Sequence, residues 1–260
     1  MPGFEKNSDV TFEKFGVLNF ERRKSMSKSR SFLLILLFIA CSCAVSAQTT
    51  IFNIPSTDVV PEGRFLLELD FVSHFDRYDR GGFQSYGYRA NYGIKKKVEI
   101  GANFYYTRLG GGKSPMEFQP NIKWKPYASE KYGVAFATGV QFFVPLNKSA
   151  GDRVFALLYA NGSKTIKQTN GTRLTGGFYS VVGAPRDFGA KNGVLVAIEQ
   201  PLFRRVSFVG DWSSGENRFG YVSAGINFVL TPKQYLTLGY SWGNSGRGNN
   251  AFSAFYGYTF

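Results

Sequence analysis

Beyond residue 63 the chain places large apolar side chains at every second position, with small or polar ones between, in short runs broken by Gly, Asn, Asp and Lys. A period of two marks β-strands with two unlike faces. In the run 65–75, Phe65, Leu67, Leu69, Phe71 and Phe75 share one face, while Glu68, Asp70 and His74 share the other. The run 85–94 sets Tyr86, Tyr88, Ala90, Tyr92 and Ile94 against Ser85, Gly87, Arg89, Asn91 and Gly93. Across Lys95–Lys97, the run 98–107 sets Val98, Ile100, Ala102, Phe104 and Tyr106 against Glu99, Gly101, Asn103, Tyr105 and Thr107. Further runs cover 116–124, 133–144, 153–165, 173–182, 194–200, 206–212, 220–230, 236–242 and 251–260. The phase of 153–165 stays open, and Pro120, on the apolar face of its run, marks an expected bulge.

Twelve runs imply hairpins throughout, and the connections fall into two classes. Those after even-numbered runs (95–97, 128–131, 167–171, 204–205, 231–234) are short. Those after odd-numbered runs (77–82, 110–114, 147–152, 184–192, 213–218, 244–250) are longer and richer in Gly, Asn and Ser. Nothing shows the 3.6-residue period of a long helix. The expected fold is all-β: a closed antiparallel barrel of 12 strands over residues 63–260, with 10 or 14 as the alternatives.

Upstream, Phe32 to Ala40 is an uninterrupted apolar run, preceded by Lys28 and Arg30 and followed by Val45-Ser46-Ala47. A basic start, a short apolar stretch and small residues at the cleavage position describe a secretory signal peptide over 26–47. The run is too short for a spanning helix, which needs about 20 apolar residues. Residues 1–25 have no place in such a leader and read as a mis-assigned start, Met26 being the better one; a genuine extension is the alternative. Cys41 and Cys43, the chain's two cysteines, fall within the removed part. Phe38-Ile39-Ala40-Cys41 also resembles a lipoprotein processing site, but a good ordinary site follows it. Residues 48–62, with two prolines and no alternation, read as a short periplasmic lead-in.

After residue 47 there are 24 Lys and Arg against 14 Asp and Glu, a positive surplus. In a soluble protein this would suggest nucleic acid, but behind a secretory leader that partner is excluded. The phosphate-rich outer leaflet of lipopolysaccharide, or a small polar or anionic solute, takes its place.

The last strand carries the most specific signal. Phe252, Ala254, Tyr256, Tyr258 and Phe260 share one face and the chain stops on Phe260. A terminal strand of this kind resembles the closing strand of bacterial outer-membrane β-barrels. The resemblance implies that Tyr256, Tyr258 and Phe260 are read by the barrel-insertion machinery, that the apolar face meets lipid and that the polar face lines a lumen. Tyr86, Tyr88, Trp124, Trp212 and Trp242 suit aromatic girdles at the headgroups. Two further stretches, Ile51-Phe52-Asn53-Ile54-Pro55 and Asp211-Trp212-Ser213-Ser214-Gly215-Glu216-Asn217, are similar to ones in uncharacterised outer-membrane barrels of the transporter-like kind.

By parity, Glu68, Asp70, Arg89, Glu99, Glu117, Lys123, Lys125, Arg173, Glu199 and Asp211 face inward. In a narrow barrel they must pair across strands, giving either a plugged interior or a polar constriction that selects solutes. Twelve strands lie between the filled eight-stranded barrel and the wide porin, so both readings stand. Catalysis finds little support. Ser73 and the sole histidine, His74, are adjacent on a strand and point to opposite faces. Tyr221-Val222-Ser223-Ala224-Gly225 lacks the first glycine of a nucleophile turn. Gly110-Gly111-Gly112-Lys113-Ser114 lacks the earlier glycine and the helix of a phosphate loop. No metal site and no cofactor are expected. The reading is a passive pore or transporter in the outer membrane, with a closed scaffold or binding barrel as the alternative and a lipid-modifying enzyme third.

Overall fold

The computed structural model describes residues 49–246 and 250–260. The expected leader, the start site and both cysteines lie outside these residues. The strands are β1 (Phe65–His74), β2 (Phe83–Lys95), β3 (Val98–Arg108), β4 (Met116–Ser129), β5 (Val134–Pro145) and β6 (Phe155–Ile166). They continue with β7 (Thr172–Val182), β8 (Asn192–Phe203), β9 (Val206–Ser213), β10 (Tyr221–Thr231), β11 (Gln234–Gly243) and β12 (Ala251–Thr259). Each pairs antiparallel with its chain neighbours, and β12 returns to β1 to close a 12-stranded ring. The closing register runs from Leu66 opposite Thr259 to Ser73 opposite Phe252, and the Phe260 N–H donates to the Phe65 carbonyl at 2.8 Å. Closure leaves no edge strand, which a hydrocarbon environment demands because it offers backbone groups no other partners.

The alternation resolves into an inner and an outer face as expected. Leu67, Leu69, Ile100, Ile122, Phe136, Leu158, Leu174, Phe178 and Val196 stand exposed on the outside. An apolar exterior around a closed barrel is the membrane-spanning arrangement. The five expected girdle residues are all exposed. Trp212 and Trp242 flank Val222 toward the long-loop end, and Trp124 lies near the short-turn end beside Val98. By the loop-length rule the long-loop end is the outer one and the other is periplasmic. One periplasmic turn rests on Asn170-Gly171, both in the left-handed region at φ 58° and 84°, where Asn and Gly are the residues of least strain.

Two details of β4 depart from the sequence reading, and the phase left open in β6 is resolved. The expected bulge at Pro120 is absent: its register with β3 is unbroken, and the irregularity falls between Trp124 and Tyr127, around Pro126. That bulge resets the alternation, so β4 continues to Ser129 rather than stopping at Trp124. The open phase of β6 is settled with Phe155, Tyr159, Asn161 and Ser163 buried inside. Its apolar residues occupy both faces because the inside of the barrel is itself partly apolar.

The cause of that apolar interior is the segment before β1. Residues 49–60, within the stretch expected as a periplasmic lead-in, lie inside the ring, with Ile51, Phe52, Ile54 and Val60 at 0–1% exposure. The segment folds as a hairpin: the Ile51 N–H donates to the Ile54 carbonyl (2.9 Å), and the Ser56 N–H to that of Thr49 (3.0 Å). It reaches β1 through Pro61–Arg64, where the Gly63 and Gly93 backbones bond.

Candidate functional site

The site is the lumen with this hairpin in it. Its tip is held by one carboxylate. Asp211, on the inner face of β9, accepts the consecutive N–H groups of Phe52 (3.2 Å), Asn53 (2.6 Å) and Ile54 (2.9 Å) on its Oδ2. Three successive backbone donors turned to one side form an anion-binding nest, here filled by the protein's own aspartate. The Asn53 side-chain amide adds donors to Ser223 Oγ (2.7 Å) and Ser241 Oγ (2.9 Å) on β10 and β11.

Beside it, the Phe52 ring packs edge-on to Phe255 at 5.3 Å and fills a notch between two inner-face glycines. A Cβ on Gly225 or Gly239 would come within 2.7 or 2.6 Å of that ring. Ile51 and Ile54 belong to one apolar cluster with Phe52, Tyr159, Leu195, Val209 and Phe255. Removing such side chains from water stabilises the docked hairpin by about 1.5–3 kcal/mol each.

Below the tip, hydrogen bonds fix the rest of the segment to the wall. The Asn161 amide donates to the Pro55 carbonyl at 2.6 Å, and Thr57 Oγ1 lies 2.6 Å from Ser163 Oγ. The Val60 N–H donates to Glu99 Oε2 at 2.8 Å. Lys123 Nζ donates to the carbonyls of Thr49 (2.7 Å) and Asp58 (2.9 Å) and sits 3.5 Å from Glu99. Arg173 bridges Glu199 of the wall and Asp58 of the segment.

The inward charges therefore sort into pairs. Arg89 lies between Glu68 (3.2 Å) and Asp70 (2.6 Å), and Tyr105 and Tyr235 donate to those two carboxylates. Glu99 pairs with Lys123, Arg173 with Glu199, and Asp211 takes the nest. Glu117 is met from across the lumen by Arg218, whose two terminal nitrogens donate to its two oxygens at 2.7 and 2.8 Å. Lys125 stands apart, half-buried at the β4 bulge.

Several partners escaped the sequence reading. Arg218 lies in the β9–β10 loop, which folds inward so that its guanidinium covers Phe143, Phe155 and Phe219 at 5.1–5.6 Å. Parity along strands says nothing of a loop residue. Asp58, Asn53 and Phe52 lie in a stretch without alternation. The available signal was Phe255, together with Leu195 and Val209: large apolar residues at inward positions, which a watery lumen would not explain. The two stretches singled out for their resemblance, 51–55 and 211–217, meet directly through Asp211. His74 and Ser73 do face apart: His74 Nδ1 contacts the Asn250 carbonyl at 2.6 Å, and Ser73 donates to that of Phe83.

The hairpin divides the interior. On its outer side a cavity of about 610 Å³ has Thr50, Asn53 and Pro55 in its floor. On its periplasmic side a cavity of about 440 Å³ is bounded by Asp58, Arg173 and the β8–β9 turn.

No family model matches the chain, and no curated protein does. Among solved structures, the fold is similar to that of a KdgM porin, with a TM-score of 0.54 at 5% identity over 75% of this chain and 99% of that one. It is also similar to the COG4313 outer membrane channel from Pseudomonas putida F1, with a TM-score of 0.53 at 14% identity over 79% and 98% of the two chains. The Acinetobacter baumannii outer membrane protein Omp33 aligns less well, at a TM-score of 0.45, 9% identity and 76% and 98% coverage. The architecture is that of a bacterial outer-membrane β-barrel.

Proposed function

We propose that the protein is a passive outer-membrane channel for small polar solutes in which residues 49–60 form the gate. The observation that carries this reading is the division of the lumen into two cavities by one short segment. That segment joins no β-ladder of the wall beyond the single Glu62–Gly93 bridge. Its withdrawal would join the cavities without breaking a strand pair. The likeness to a porin and to an outer-membrane channel supports a conducting role. The barrel's partners on this reading are the acyl chains and phosphates of the outer membrane, with Tyr256, Tyr258 and Phe260 serving insertion.

Planar-bilayer recording of the processed chain and of a form lacking residues 49–60 tests the proposal. The whole chain is expected to open rarely, and the shortened one to conduct in large, steady steps. A shortened barrel that keeps its heat-modifiable gel migration yet stays silent would overturn it.

A further inference from the structure

The outer cavity has the chemistry of a binding site rather than of a bare vestibule. Arg218 donates to Glu117, Gln119 Nε2 donates to Glu117 Oε2 at 3.0 Å, and Gln141 Nε2 donates to Gln119 Oε1 at 2.8 Å. This relay crosses β4 and β5 and ends on the Gln141 side-chain carbonyl in the cavity wall. Asn103, paired with Gln119 across β3 and β4, lines the same cavity. It is only 4% exposed, and its Oδ1 has no hydrogen-bond partner. A buried amide oxygen left unmatched is costly, and a ligand hydroxyl donating to it would recover that cost. Ser85 and Thr107 add a hydroxyl pair 2.8 Å apart. Phe219 and Tyr221, both half-buried, supply aromatic surface to the same space, while Phe143 lies beneath Arg218 and stacks on Phe155.

The charges argue against an ionic ligand. Both guanidinium groups in the wall already have carboxylates: Arg89 has two, and Arg218 has Glu117 on both terminal nitrogens. An anion entering here would compete with a partner the protein provides. What remains is the unpartnered Asn103 Oδ1, the Gln141 carbonyl and a hydroxyl pair bonded only to each other, beside aromatic rings, which together suit a solute presenting many hydroxyls and a C–H face. The volume lies within the range of about 300–1,000 Å³ usual for small-molecule sites.

We infer that the outer cavity binds a neutral, hydroxyl-rich solute, a mono- or disaccharide or a polyol, between the amides of Asn103 and Gln141 and the aromatic surface of Phe219 and Tyr221. This rests on the channel reading for its role in permeation, but the binding step stands without it. Titration calorimetry of the detergent-solubilised chain with maltose, sorbitol and glucuronate tests it. Saturable binding of maltose or sorbitol is expected, weakened about tenfold by Gln141→Leu through loss of the amide, and weakened also by Phe219→Ala, with heat-modifiable migration unchanged in both. Absence of saturable binding to either neutral probe, preference for glucuronate, or indifference to both substitutions would overturn the inference. The two claims fail separately. A shortened chain that conducts without binding sugar removes the site and keeps the channel; sugar binding in a barrel that stays silent when shortened does the reverse.

Discussion

The two sides of the lumen hold the same hairpin by different means. The wall of β1–β4 is ionic: Glu68, Asp70, Arg89, Glu99 and Lys123 neutralise one another and touch the segment through a few backbone atoms of Thr49, Asp58 and Val60. The wall from β8 to β12 carries few charges and takes the Phe52 and Ile54 side chains on an apolar patch of Leu195, Val209 and Phe255 set among serine and threonine hydroxyls, with Asp211 beside it to receive three N–H groups. Charges that satisfy each other across neighbouring strands stay satisfied whether or not the segment is present. A lone buried carboxylate that takes three of its donors from the segment, and only the Ser223 hydroxyl from the wall, does not. The ionic wall therefore holds the barrel's own shape, and the opposite wall holds the gate.

This contrast ranks the substitutions. Asp211→Ala is expected to act most strongly, because it strands three N–H groups beside the apolar patch. Each buried donor left unmatched costs about 1–3 kcal/mol, and three are left, so the docked state should lose a hundredfold or more, read as open probability in bilayers. Phe52→Ala empties the notch over Gly225 and Gly239. A buried Phe→Ala change costs about 3–5 kcal/mol in a core that cannot collapse, but here the segment can shift, so a smaller rise in opening is expected. Lys123→Met deletes two bonds to segment carbonyls, worth about 1–3 kcal/mol to docking, while the buried Glu99 left without its cation weighs on the barrel whether or not the segment is docked. Protease cleavage within residues 49–60 should rise modestly. At the bottom stands Arg77→Ala in the β1–β2 loop. Its partner Asp79 and Arg77 itself are 63% and 70% exposed, so stability and conductance should not change measurably. If Lys123→Met opened the channel more than Asp211→Ala, the division of labour between the walls would be wrong.

The barrel was legible in the sequence because one face of each strand meets lipid, and period-two alternation records that directly. Strand ends were misjudged where a bulge resets the phase, as at Trp124–Tyr127. The hairpin was not legible, because a segment buried on all sides by another part of the chain needs no periodicity. Ile51, Phe52 and Ile54 follow the local shape of a pocket, not a repeat. Most of the inward charges were found by parity, yet their partners Asp58 and Arg218 come from irregular backbone, where parity has no meaning. The inward Phe255 was visible beforehand, and it marked the place where something apolar had to dock.

The central claim is that residues 49–60 occupy the lumen and that leaving it opens the path. Thr57 and Ser163 face each other with side-chain oxygens 2.6 Å apart, one on the segment and one on β6. No cysteine lies beyond residue 43, so a Thr57→Cys, Ser163→Cys pair would carry the only thiols of the chain after that residue. Disulfides need Cβ atoms about 3.5–4.5 Å apart, a spacing that two touching hydroxyls approach. Single-channel recording of this variant in the Phe52→Ala background, before and after dithiothreitol, is the most direct measurement. The account expects the bond to form under mild oxidation, to silence the channel, and to release full opening on reduction. A barrel that forms the bond quantitatively and conducts equally well in both states would contradict it.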